Sequence, residues 1–179
     1  MQAKEKRVII VSIFLITVWV FTIVKILRRD IVAERYSDLA NEYKMMDKQE
    51  EAIAAYKKAI EIKANYTKAY YELGILLSDK GFYEESIALF EKAIEIEPNA
   101  KAYVALGIVY FRVDKQAEGI KALEQAIEID PNNATAYYNL SVAYFKQGYY
   151  QQAIEYADKA EELGYDNPNL IGVLKAYRK

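Results

Sequence analysis

The side chains that most often carry chemistry are missing from this chain or scattered along it. Its 179 residues include neither His nor Cys. The commonest general base, the commonest metal-ligating ring and every thiolate are therefore absent. Carboxylates are plentiful, and adjacent pairs such as Glu84–Glu85 and Glu161–Glu162 resemble an acid/base couple at first sight. Consecutive residues of a helix point in different directions, so neither pair converges on one substrate atom. Both suit a solvated helix face. No Gly-rich phosphate loop is present. The chemistry expected is none: no catalytic residue, no metal ligand set and no cofactor. The lack of Cys fits reducing and oxidising compartments alike.

Charge narrows the partners. The net charge of −2 is unevenly shared. Residues 1–32 hold six basic and two acidic side chains, which leaves 24 − 6 = 18 basic and 26 − 2 = 24 acidic in residues 33–179, a net of −6. A domain of that sign lacks the basic face that nucleic acid requires, so nucleic acid is not an expected partner.

The basic excess at the N-terminus surrounds "VIIVSIFLITVWVFTIVKIL", residues 8–27, whose one charge is Lys25. Twenty helical residues span about 30 Å, the thickness of a bilayer's hydrocarbon core. The run is long for a signal-peptide core, and no small-residue cleavage site comes after it. The expectation is a transmembrane helix over 8–27, between a basic tail (1–7) and a short basic junction (28–32). Lys6, Arg7, Lys25, Arg28 and Arg29 would meet lipid headgroups. This implies a single-pass membrane protein. The flanking charges lean only weakly towards a cytoplasmic C-terminal domain. No Gly or Pro precedes Gly74, so the helix should continue, nearly unbroken, into the next domain.

That domain repeats one phrase three times: "AIEIKANYTKAYYEL" from Ala59, "AIEIEPNAKAYVAL" from Ala93 and "AIEIDPNNATAYYNL" from Ala126. A period of 33–34 residues is the signature of stacked helical hairpins. Apolar residues recur at three- and four-residue spacing, and Gly81 and Gly148 sit where one helix must end and the next begin. Pro98 and Pro131 bias Glu97 and Asp130 away from helix. Each hairpin cannot bury its apolar face alone, so neighbours must stack.

The pattern resembles the tetratricopeptide repeat (TPR) family. An aromatic at position 4, Leu at 7, a small residue at 8, a bulky one at 24 and Ala at 27 recur in four windows, 33–66, 67–99, 100–133 and 134–167. Tyr36, Tyr70, Tyr103 and Tyr137 hold the first of these positions, and Gly119 replaces the usual Ala at position 20 of the third window. The resemblance implies an all-α fold: a right-handed superhelix of four helix–turn–helix repeats spanning 33–167, with the transmembrane helix before it. Residues 168–179 read as a capping helix, with Asn167 as N-cap and Leu170, Val173, Leu174 and Tyr177 on one face.

In that family the first helix of each hairpin lines a concave groove. Carried over, the resemblance implies polar groove residues Asn41 and Lys44 near the N-terminal end. It implies apolar ones, Tyr71, Ile75, Val104, Ile108, Phe111, Tyr138, Val142 and Phe145, further along. The partner implied is a protein or peptide, either an amphipathic helix or an apolar segment, recruited at a membrane. A homo-oligomeric layer on the membrane is the alternative. The family's carboxylate clamp for chaperone tails is not reproduced. Its positions here are Ser37, Asn41, Ile75, Val104 and Ile108, and only Asn41 matches.

Overall fold

A computed structural model describes the backbone of residues 2–165 and 168–178, and the side chains of residues 15–165, 170 and 172–178. Among these residues every regular element is helical and no strand occurs. The chain forms two compact units, Met1–Ala69 and Tyr70–Lys179.

The first unit pairs α1 (Gln2–Met45) with α2 (Gln49–Ile62). Alanines make close approach possible: Ala33 and Ala40 on α1, and Ala52 and Ala59 on α2, are fully buried. The buried Tyr56 hydroxyl donates to Asn41 Oδ1 at 2.6 Å, so its burial leaves no orphaned donor. At the other end of the pair, Arg29 donates from Nε (3.2 Å) and Nη2 (2.7 Å) to the Ile62 carbonyl. Lys63 Nζ lies 3.2 Å from Asp30. A helix C-terminus presents unpaired carbonyls and partial negative charge, and the Arg29 guanidinium answers both.

The expected membrane anchor is corrected here. Among the described residues no helix is long and apolar enough to cross a membrane. Side chains 8–14 of the expected span lie outside the described residues, as do those of Lys6 and Arg7. The described apolar part, residues 15–27, ends at Arg28, Arg29 and Asp30. Arg29, expected at lipid headgroups, instead caps α2. The single-pass localisation and its cytoplasmic leaning fall with the anchor, and the bilayer as a partner is left without support.

The second unit contains most of α3 (Thr67–Asp79), then α4 (Tyr83–Ile96), α5 (Ala100–Arg112), α6 (Gln116–Ile129), α7 (Ala134–Lys146), α8 (Tyr150–Glu162) and α9 (Pro168–Leu174). A 3-10 turn, Lys175–Tyr177, ends it. Helices pair α5 with α6 and α7 with α8, and consecutive hairpins pack through α4 on α5 and α6 on α7. Phe90, Leu106 and Val109 bury one part of the core, and Leu123, Ala126 and Leu140 the next. Full burial of each large side chain stabilises by roughly 1.5–3 kcal/mol.

Position 15 of each repeat sets the turn inside the hairpin. Gly81 (φ 84°) and Gly148 (φ 81°) occupy the left-handed region there, and so do Asp47 (φ 57°) and Asp114 (φ 60°). The amide after each donates back to the carbonyl five residues earlier: Lys48 to Tyr43, Phe82 to Leu77, Lys115 to Tyr110, Tyr149 to Tyr144. That bond closes a Schellman-type stop. Between hairpins the C-cap residues are extended, with Glu97 at φ −151° before Pro98 and Asp130 at φ −132° before Pro131. Lys63 is extended at φ −131° with no proline after it, so the repeat imposes the conformation and proline only reinforces it.

Residues 168–179 were expected as one helix. The α-helix stops at Leu174 and the last turn tightens. Leu170 and the fully buried Leu174 pack on Ala153, Ile154 and Ala157, while Val173 is turned outward and 48% exposed. Asn167, the expected cap, lies outside the described residues.

Candidate functional site

The first helices of the hairpins in Tyr70–Lys179 carry three connected hollows. The largest, about 330 Å³, is lined by Tyr71, Ile75, Val104 and Ile108, with Lys101, Asn133 and Thr135 at its edge. A second, about 240 Å³, is lined by Ile108, Phe111 and Val142, with Arg112, Gln116, Asn139 and Lys146. A third, about 150 Å³, shares Ile75 and Ile108 with the first and adds Phe90, Ser78 and Asp79. Ile108 is common to all three, so they form one trough with Ile108 at its middle.

Helix periodicity explains the alignment. Val104, Ile108 and Phe111 are spaced by four and three residues along α5 and therefore share a face. Val104 forms the buried floor at 8% exposure; Ile108, Phe111 and Val142 are half-buried. Tyr71 packs its ring on Phe90 at 5.8 Å between centroids. Burial pushes the Tyr71 phenol above its ordinary range, and the Glu72 charge adds to that, so it stays a neutral hydroxyl at physiological pH.

Six of the ten groove residues expected from sequence meet in this trough: Tyr71, Ile75, Val104, Ile108, Phe111 and Val142. Four do not. Phe145 packs instead under the C-terminal cap, beside Ile154 and Leu174 and against the rings of Tyr150 and Tyr177. Tyr138 stacks on Tyr165 at 4.5 Å, and burial raises its phenol pKa. Asn41 and Lys44 belong to Met1–Ala69, where Asn41 accepts the Tyr56 hydroxyl. Ser37, another residue at a groove position, is fully buried with its hydroxyl unpaired.

Gln116, Asn133 and Asn139 line the trough without having been singled out. Asn133 was readable only as an N-cap, which it is: its Oδ1 accepts from the Ala136 amide at 3.0 Å. Asn139 donates to the Thr135 carbonyl at 2.8 Å. Gln116 opens a second helix, and only the packing of hairpins turns it to the trough. Among the described residues no group of three or more carboxylates converges closely enough to hold a metal ion.

Two family models match the repeats. One, described as TPR repeat, covers residues 40–81 and 115–148; the other, described as tetratricopeptide repeat, covers 67–100 and 134–167. Together they span more than half of the chain. The chain belongs to the tetratricopeptide repeat family. No curated protein sequence matches this TPR chain. Among solved structures, a MamA protein is 27% identical with a TM-score of 0.73, covering 81% of each chain. YrrB, described as a TPR protein with an unusual peptide-binding site, is 25% identical with a TM-score of 0.66; 79% of this chain and 75% of YrrB are covered. PilF of Pseudomonas aeruginosa shares the fold at 19% identity and a TM-score of 0.75, over 82% of this TPR chain and 69% of its own.

Proposed function

We propose that this TPR protein is an interaction scaffold that holds a peptide segment of a partner protein in the trough of Tyr70–Lys179. The observation that carries the reading is the continuity of the three hollows through Ile108. A continuous apolar floor with a polar rim suits an amphipathic helix or an extended apolar segment. The similarity to YrrB, a TPR protein with a peptide-binding site, supports it. A segment burying on the order of 500 Å² of apolar surface gains a gross ~12 kcal/mol, most of it offset by association and ordering costs. Micromolar affinity is the outcome of that balance.

The test is a photo-reactive residue in place of Lys146 at the trough rim, crosslinked in cells and read by mass spectrometry. The expected result is a discrete partner peptide, lost when Phe111→Glu and Val142→Glu are introduced with helicity unchanged. A crosslink that survives those two substitutions overturns the trough as the binding surface.

A second reading, self-association, is favoured by a different observation. Between positions 15 and 31 of α1, ten large apolar side chains are each about half exposed or more, Trp19 at 66% and Phe21 at 72% among them. Together they leave on the order of 1,000 Å² of apolar surface in water, enough for one side of a standard dimer interface. Sedimentation of the full chain distinguishes this reading. A dimer that dissociates on Trp19→Lys with Phe21→Lys supports it, and a wild-type monomer at high concentration rejects it.

A further inference from the structure

The trough's charge runs against that of the unit that carries it. Tyr70–Lys179 contains 11 basic and 17 acidic residues, a net of 11 − 17 = −6. Yet the charged residues lining its three hollows are Lys101, Arg112 and Lys146 against Asp79 alone. The rest of the unit then holds 8 basic and 16 acidic residues. All three cations are exposed, and among the described residues none of them makes an ion pair. Exposed cations left unpaired in so acidic a setting are available to a ligand.

Their placement is regular. Lys101, Val104, Ile108 and Arg112 lie at i, i+3, i+7 and i+11 of α5, one stripe of the helix. Eleven residues of rise separate Lys101 from Arg112 by about 16 Å. Lys146 shares the Arg112 hollow, so one end of the stripe carries two cations and the other carries one. Asp79 lies off this stripe, in the hollow beyond Ile75.

We propose that the trough selects a peptide segment with an apolar centre and acidic side chains at both ends, its carboxylates about 16 Å apart and its more acidic end at Arg112 and Lys146. This rests on the trough being the binding surface. The apolar floor supplies affinity. The cations, being exposed and screened, supply orientation and choice of partner. A basic segment is rejected by like charge at both ends.

The test uses the full chain as bait for a random 12-residue phage-displayed library, counter-selected on the Phe111→Glu/Val142→Glu variant. The expected result is enrichment of Asp and Glu on both sides of an apolar centre. The best such peptide should bind the Lys101→Glu/Arg112→Glu/Lys146→Glu variant about tenfold or more weakly. The same selection on that variant should enrich Lys and Arg. These three side chains are exposed, so the variant is expected to keep its helicity. Enrichment of trough-dependent peptides with neutral or basic ends overturns the acidic preference and leaves the trough reading standing. Peptides indifferent to both variants, or no enrichment at all, overturn both.

Discussion

The Phe111 ring occupies the space that a Cβ at Gly119 would need: that atom would lie 2.4 Å from Phe111 Cε1. Gly119 is the one departure from a small-but-not-Gly residue at position 20 of the four repeats; Ala52, Ser86 and Ala153 hold it elsewhere. The missing methyl is what lets an aromatic from α5 fold over α6 and form a wall of the trough.

Gly119→Ala should therefore act differently in two backgrounds. With Phe111 present, the gain in helix propensity of about 1 kcal/mol is offset by the overpacking that displaces the ring. With Phe111→Ala, the same substitution should stabilise by about 1 kcal/mol. Urea unfolding of the four proteins measures the coupling, and additive effects would show that the ring moves aside at no cost.

Positions 8 and 20 are bridged by a buried hydroxyl in two repeats, with the donor exchanged. Ser86 donates to the Gly74 carbonyl at 2.7 Å, and Ser141 donates to the Ala153 carbonyl at 2.7 Å. Ser86→Ala and Ser141→Ala should each cost about 1 kcal/mol. The buried, unpaired Ser37 hydroxyl makes the opposite prediction. Ser37→Ala should be neutral or stabilise by about 1 kcal/mol, because it removes a desolvated group without a bond to lose. Denaturant midpoints at constant m-value check all three.

Asp114 sits at φ 60°, where its repeat counterparts Gly81 and Gly148 carry no Cβ penalty. Asp114→Gly should stabilise by about 0.5 kcal/mol, less than the full left-handed penalty because Asp114 Oδ1 accepts from Gln116 Nε2 at 3.2 Å. Asp114→Val should destabilise by about 2 kcal/mol. Thermal unfolding gives both signs in one series.

Arg29 joins α1 to the last carbonyl of α2, that of Ile62, through two nitrogens. Arg29→Ala should cost about 1 kcal/mol and raise amide exchange in the final turn of α2. Arg29→Lys should recover only part, since one ammonium cannot reproduce the forked geometry. Hydrogen exchange that is unchanged on α2 would show that the contact does not hold the helix end.

The repeat was legible because its period is written into residue types: helix spacing, small residues at contact positions and breakers at regular intervals. The left-handed turns at Asp47 and Asp114 were not, because Asp commonly serves as a cap or an exposed acid and only the repeat frame marks it as a stand-in for Gly. The apolar run at residues 8–27 misled for a related reason. Hydropathy reports what a segment avoids, and cannot tell a bilayer from any other cover. Nor does a composition window reveal that Arg29 is taken by a carbonyl 33 residues away.

By itself, then, the amino-acid order determined the all-helical repeat, the hairpin boundaries and the absence of His and Cys chemistry, since these depend on local periodicity and on which atoms exist. Tertiary packing alone decided which groove positions face one another. It sent Phe145 under the C-terminal cap and Tyr138 onto Tyr165, buried Val104 as a floor, turned Gln116 and Asn139 to the rim and brought Lys146 to the hollow that Arg112 lines. A residue's direction about its own helix is periodic and local, whereas what meets it there depends on the angle at which the next hairpin packs.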